Sequence, residues 1–516
     1  MKFRFHRSAL LLALAGVALP ASLLAAQPSS DRYIVKYKSD AAAGVARAAI
    51  ASAGRVVLDL SRQDAVAAHL SASAVAALRR NPNVEYVEHD VPRYALALAT
   101  PSTGNPYAAG QLVPYGIKLV QADQLPDTAA SSRKVCIIDS GYERAHEDLS
   151  QNVVDGTNDV GTGLWSTDEN GHGTHVAGTV AAVNNSLGVV GVAPNKQLKL
   201  HIVKVFGADG WAYSSTLTHA VNTCAGVGAN VISMSLGGSQ QSRTEKTAFD
   251  KHYAAGILSI AAAGNDGNTR VSYPAGYASV MSVAALDENK AWASFSQYNK
   301  SVEIAAPGVS VLSTVPMGTG RDASLSVGST SYAAAAMDGS PLGNTSGALL
   351  DCGAGTAACA GAQGKVCLIQ RGTNTFAEKV LNCQAGGGVA AVIYNNVAGM
   401  LYGTMGETVT AIPSLGVSDT DGAALKAQAG ATASAGVTAS HYAYFDGTSM
   451  ATPHVSAVAA LVWSHHPNCT AANIRNALNA TAMDLGAKGR DTKFGYGLVQ
   501  ALAAKNYIGT YGCTGR

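Results

Sequence analysis

Charged side chains make up only 14% of the 516 residues, and the two signs nearly cancel to a net +2. Soluble domains carry about 25% charge. With no basic stripe and no acidic tail, the chain offers no electrostatic reason for nucleic acid or anionic lipid as partners. Beyond the N-terminus it also lacks any long apolar run of the kind that spans a membrane. No two cysteines stand at Cys-x-x-Cys spacing, which disfavours a structural zinc site.

What is present begins with Lys2, Arg4, His6 and Arg7, followed by the apolar run Ala9 to Leu24 and then Ala25-Ala26. A basic stretch, an apolar core and small residues form the grammar of an export signal, here over 1–26. Pro20 interrupts the run, which is too short for a span. Eight cysteines, an even count, fit an oxidising, extracellular destination. Proximity favours Cys352–Cys359 and Cys367–Cys383, leaving Cys136–Cys224 and Cys469–Cys513, although spacing alone permits other connectivities.

From Asp31 to Asp90 the pattern reads strand, helix, strand, strand, helix, strand. Tyr33 to Tyr37 and Val84 to Glu88 alternate, Val45 to Ala53 is helical, and Ser71 or Ser73 can cap a helix through Leu78. This is a ferredoxin-like α+β order. Ala95 to Gly110 has no periodicity and reads as a linker. Short continuous apolar strands follow at Lys134 to Ile138, Leu200 to Val205, Val231 to Met234, Ile257 to Ala261 and Val280 to Val283. Helical patterns at Gly173 to Val183, Ser214 to Cys224 and Thr244 to Ala255 lie among them. That alternation predicts a doubly wound α/β domain with a parallel sheet, whose sites lie beyond the carboxyl ends of its strands. Residues 317–440 differ in texture. They hold half the cysteines, with strands at Lys365 to Ile369 and Val389 to Tyr394 and a helix at Phe376 to Leu381, and read as an inserted, mainly β domain.

Three stretches carry chemistry. Val135 to Gly141 ends a strand on Asp139. Asn170-Gly171-His172-Gly173-Thr174-His175 opens a helix on His172. Gly447-Thr448-Ser449-Met450-Ala451-Thr452-Pro453-His454 opens an Ala-rich helix at or just after Ser449, with Pro453 tolerated in its first turn. A serine hydroxyl becomes nucleophilic only when a base takes its proton, histidine titrates in the right range, and a buried aspartate fixes the imidazole tautomer. His172 and His175 lack the glutamate of a His-Glu-x-x-His zinc motif. His175 and His454 read as packing residues. Ser449 is not framed by Gly-x-Ser-x-Gly, which argues against a lipase-like hydrolase.

The order Asp, His, Ser resembles the subtilisin-like serine proteases, in which that order is established. Val113-Pro114-Tyr115-Gly116, Ser233-Met234-Ser235-Leu236-Gly237-Gly238, Ala263-Gly264-Asn265 and Ala306-Pro307-Gly308 strengthen the likeness, which runs from Gln111 to Ala503 apart from the insert. The resemblance implies Ser449 as nucleophile, His172 as general base, Asp139 as its orienter and Asn265 as an oxyanion donor beside the Ser449 N–H. It implies that Ser235, Leu236 and Gly237 pair with an extended peptide, and that the segment with Ala262 and Gly264 lines the primary specificity pocket. That segment carries no acid and suits apolar or aromatic side chains.

The same resemblance implies a structural calcium ion held by the side chains of Gln111, Asp148 and Asn185 and the carbonyls of Val183, Leu187 and Val189, an oxygen-only set. Residues 27–96 resemble an inhibitor-type propeptide, whose last strand would run through the cleft until cut. Residues 97–110 would hold the processing point, between Leu96 and Gly110, with the catalytic domain over 111–316 and 441–516. The insert resembles a protease-associated domain, mainly through Gly364 to Gly388. Protein or peptide substrates, the chain's own propeptide as intramolecular inhibitor and a secreted monomer with no membrane span are the expectation. A binding protein on the same scaffold is the competing one.

Overall fold

The computed structural model describes residues 31–38, 40–95, 98–100, 111–406 and 408–516, with the side chains of 40–42 and 98–100 left out. The export signal expected over 1–26 and most of the linker expected over 97–110 lie outside the described residues.

The N-terminal unit is a four-stranded antiparallel sheet. Its strands Arg32–Tyr37, Gly54–Leu60, Ala65–Leu70 and Val84–His89 lie in the order second, third, first, fourth. Alternate residues Val35, Val66, Ala68 and Val87 face the helices Asp40–Ala53 and Ala72–Leu78, burying Ile50, Val75 and Leu78. Ser71 caps the second helix, its Oγ accepting the Ala74 N–H at 3.2 Å. The first helix begins at Asp40 rather than Val45, because the alanines before Val45 have high helix propensity without an apolar period to announce it.

The large domain is built on a seven-stranded parallel sheet. Its strand order is Val302–Pro307, Val280–Leu286, Leu258–Ala262, Val231–Met234, Lys134–Asp139, Lys199–Lys204, Val154–Asn158. Strand residues alternate between two cores. Val135 and Ile137 face the helices His172–Ala181 and Thr448–His465, while Cys136 and Ile138 face Ser214–Gly226 and Arg243–Ala254. Strands covered on both faces need no polar alternation, which is why they read as continuous apolar runs. The order reverses at Lys134–Asp139, so Asp139 stands at the topological switch point, where α/β sheets place their sites.

The inserted unit carries an eight-stranded sheet and the helices Phe376–Ala385 and Asp419–Lys426. It joins the large domain through a two-stranded ribbon. Val311–Thr314 pairs with Tyr442–Asp446 in the large domain, and Gly320–Val327 pairs with Thr432–Ser440 in the insert. Four disulfides form, in the expected pairing: Cys136–Cys224, Cys352–Cys359, Cys367–Cys383 and Cys469–Cys513. The first ties a central strand to the helix covering it. Among the described residues no helix is long and apolar enough to cross a membrane.

Candidate active site

Asp139 is the last residue of its strand and is fully buried. Its Oδ1 accepts the Ser140 N–H at 2.7 Å and the His172 Nδ1–H at 2.7 Å. A donating Nδ1 leaves Nε2 as the basic nitrogen of the neutral ring, and Nε2 is buried with no hydrogen-bond partner. Burial lowers the His172 pKa, but the charge and hydrogen bond of Asp139, with Asp168 further off, outweigh it and raise the value above the ordinary imidazole range. Gly173 permits this approach, because a Cβ there would stand 2.3 Å from the Gly141 carbonyl oxygen.

Asp168 locks the turn that presents His172. Its Oδ1 accepts from Ser140 Oγ at 2.9 Å and from the Gly171 N–H at 2.9 Å, and its Oδ2 accepts from the Thr174 N–H at 2.8 Å and from Thr174 Oγ1 at 2.7 Å. Ser140 Oγ in turn accepts the Gly173 N–H at 2.8 Å. The helix start and the strand end are thereby joined through one carboxylate. Sequence reasoning missed Asp168, although an acid just ahead of a helix start is a recognisable capping signal.

The serine helix begins at Thr448, so Pro453 lies beyond the first turn, where the expectation had put it. Lacking an N–H, Pro453 leaves the carbonyl of Ser449 without its helical donor. Ser235 Oγ fills that gap, donating to the Ser449 carbonyl at 2.7 Å. The Ser449 hydroxyl donates to the Ser235 carbonyl at 3.0 Å, so in this conformer it is not bonded to His172. Asn265 Oδ1 accepts from the Thr448 N–H at 2.9 Å and from Thr448 Oγ1 at 2.8 Å, which orients the amide nitrogen to the other side. The Gly264 N–H donates to Thr448 Oγ1 at 3.1 Å, and Ala262 ends its strand fully buried.

His175 and His454 are packing residues. His175 is fully buried and stacks on Phe445 at 4.3 Å, and burial pushes its pKa down to about 3. His454 is bound through Nδ1 to the Met450 carbonyl at 2.8 Å, and burial lowers its pKa to about 4.

A second cluster lies around Gln111. Its Nε2 stands 2.8 Å from the Val183 carbonyl, 3.2 Å from Asn185 Oδ1, 2.8 Å from the Leu187 carbonyl and 3.1 Å from the Val189 carbonyl. An amide nitrogen has two hydrogens and cannot satisfy four acceptors. Asp148, buried, approaches the same loop through the Asn185 amide at 2.8 Å and the Val189 N–H at 2.9 Å. Convergent oxygens around one point are the donor chemistry of a hard cation.

The extended chain after the N-terminal domain pairs with strands of the large domain. Pro92–Ala95 pairs antiparallel with Leu236–Gly237 on one side and Trp211–Tyr213 on the other, and Leu98–Thr100 pairs with Tyr444–Asp446. Two expectations change here. The strand that pairs with Leu236–Gly237 is Pro92–Ala95, while the last strand of the N-terminal domain, Val84–His89, stays in its own sheet. The stretch after Ala95, read as a linker, contains a strand at Leu98–Thr100, because pairing through the main chain needs no side-chain period. Trp211–Tyr213, the second wall, was also missed.

A model of the subtilase family matches residues 130–339 and 403–497, more than half of the chain. This chain belongs to the subtilase family. Subtilisin DY of Bacillus licheniformis is 46% identical over 215 residues, 40% of this chain and 77% of that protein. The solved psychrophilic subtilisin-like protease Apa1 of Pseudoalteromonas sp. AS-11 is 44% identical, with a TM-score of 0.65 over 79% of this chain and 100% of its own. Fervidolysin of Fervidobacterium pennivorans, at 23% identity and a TM-score of 0.60, covers 93% of this chain and 61% of its own, a likeness of fold alone. The subtilase activity is that of a subtilisin-like serine endopeptidase. A PA-domain model matches residues 334–425, within the inserted unit of this subtilase.

Proposed function

We propose that this subtilase is a secreted endopeptidase, made as a precursor that cuts itself, with Ser449 as nucleophile. The observation that carries the reading is the Asp139–His172 pair, whose bare Nε2 belongs to a helix packed on the serine helix. In the reaction the Ser449 hydroxyl leaves the Ser235 carbonyl, gives its proton to His172 Nε2 and attacks the substrate carbonyl carbon. The oxyanion is held by the Asn265 amide nitrogen and the Ser449 N–H, a first-turn group with no partner within its helix. His172 returns the proton to the leaving amine, and water then hydrolyses the acyl-enzyme by the same route.

The N-terminal domain acts as an intramolecular inhibitor. Ala95 pairs with Leu236 and Leu98 with Asp446, on the two flanks of Ser449. This favours a first cut after Leu96 over one near Ala109. A calcium ion held by Gln111, Asp148, Asn185, Val183, Leu187 and Val189 is part of the proposal, and would supply rigidity to that loop rather than chemistry. The basic and apolar leader and the fully paired cysteines support export.

Purified protein is expected to cleave casein and to be labelled at Ser449 by a fluorophosphonate, and the processed form to begin at Ala97 on N-terminal sequencing. Ser449→Ala should accumulate as uncut precursor. Absence of both cleavage and labelling would overturn the reading.

A further inference from the structure

Along Pro92–Ala95 the side chains alternate as in any strand. Tyr94 points outward and is 43% exposed, whereas Arg93 beside it is wholly buried at 0%. An arginine is seldom fully buried without a partner, and this one meets Glu245, also 0% exposed. Arg93 Nη2 lies 3.0 Å from Glu245 Oε1 and 2.9 Å from Oε2, and Nη1 donates to the Pro92 carbonyl at 2.9 Å.

Glu245 belongs not to the N-terminal domain but to the large domain, in the first turn of Arg243–Ala254. Its surroundings are fixed. Its N–H donates to Ser242 Oγ at 3.2 Å, and the buried Tyr277 hydroxyl accepts the Ser242 N–H at 2.9 Å and donates to the Ser242 carbonyl at 3.0 Å. Gly238 leaves room for the guanidinium, because a Cβ there would sit 2.6 Å from the Pro92 carbonyl oxygen and 3.1 Å from Arg93 Nη1.

When the N-terminal domain leaves, Glu245 stays behind in the pocket that Arg93 filled. A carboxylate so deeply buried is costly without a cation to replace the one lost. Burial indeed pushes the Glu245 pKa up, and Arg93 opposes that rise. We propose that Glu245 makes this pocket a substrate subsite selecting a basic side chain, arginine above lysine, at the place held by Arg93. The preference for arginine follows from its planar, many-donor head: Nη2 meets the carboxylate while Nη1 meets the main-chain carbonyl of the preceding residue, two acceptors that the point charge of a lysine ammonium does not span in the same way. Numbering that place as the fourth residue before the cut rests on the Leu96 assignment above.

The test uses the full chain, expressed and allowed to process itself, with quenched fluorogenic peptides Pro-X-Tyr-Ala-Leu-Ala-Leu-Ala. X is arginine, citrulline or leucine. Citrulline keeps the shape of arginine without its charge. The arginine peptide should show kcat/KM about tenfold or more above the citrulline peptide, in the range expected for a desolvated charge pair. Glu245→Gln should bring the ratio near one. Equal kcat/KM for arginine and citrulline with the wild-type protein would overturn the subsite. If none of the peptides is cut, the peptidase reading itself has failed, a different outcome. Because Glu245→Gln can disturb folding by unpairing Arg93, the wild-type comparison decides alone where that variant does not accumulate.

Discussion

His172 sits under opposed influences, burial favouring its neutral form and Asp139 its charged form, with the carboxylate prevailing. As the proposed general base it must be neutral, so activity should be lost as pH falls through its pKa. The acid limb of kcat/KM should therefore lie above the ordinary imidazole value of about 6.5. Asp139→Asn should move that limb down and slow turnover, as a kcat/KM profile against pH would show. The stability contribution runs the other way. A raised histidine pKa stabilises the fold fully below the unfolded value, and that contribution fades as pH rises through the folded one. Asn265→Leu should lower kcat by about a hundredfold or more with KM little changed, the size of loss established for an oxyanion donor in a related subtilisin. At this scale the pairing of Asp139 with His172 was legible, because one residue stands in a short motif at a strand end and the other in a short motif at a helix start. Asp168 and Glu245 were not. One looks like an ordinary cap and the other like a solvated helix residue, until distant chain segments fold over them.

Among the elements, the serine helix shows why a proline can sit where a helix should reject it. The missing Pro453 N–H is replaced by the hydroxyl of Ser235, the residue that links the strands Val231–Met234 and Leu236–Gly237. Ser235→Ala should leave the buried Ser449 carbonyl unsatisfied and destabilise the domain by about 1–3 kcal/mol. In a Pro453→Ala background the restored N–H can reach that carbonyl, so the same change should cost less. Denaturant unfolding of the four-member mutant cycle measures the difference. The continuous apolar strands of the sheet centre were legible from sequence, but Val154–Asn158 was not, because an edge strand reading Val-Asp-Gly-Thr-Asn offers no apolar run. Pro92–Ala95 and Leu98–Thr100 were hidden for a related reason. Their partners are hundreds of residues away in some cases, and their hydrogen bonds come from the main chain.

In the whole molecule, the N-terminal domain grips the large domain by two carboxylates at helix starts. Glu88 accepts from the Arg243 N–H at 2.9 Å and the Thr244 N–H at 3.0 Å, and Asp90 accepts from the Ser215 N–H at 2.9 Å. Each carboxylate lies at the positive end of a helix dipole. Glu88→Ala with Asp90→Ala should weaken inhibition by the released domain, seen as a higher inhibition constant in trans. The Gln111 cluster acts at the same scale. A cation bound only by the folded state adds about 2.7 kcal/mol at a hundredfold excess over its Kd, so chelator should lower the melting temperature and added calcium restore it.

The ribbon carrying the insert has one more consequence. Gly320 and Ser440 are antiparallel partners, which places their Cα atoms about 5 Å apart. By the logarithmic closure law a two-residue turn spans that gap at about 3–4 kcal/mol less loop entropy than the long segment it would replace, so the exchange costs the catalytic unit nothing in closure. Excision of residues 321–439 with an Asn-Gly graft should leave a catalytic unit that still folds and reacts with a fluorophosphonate. The protein can therefore be viewed as a hairpin whose turn was exchanged for a module.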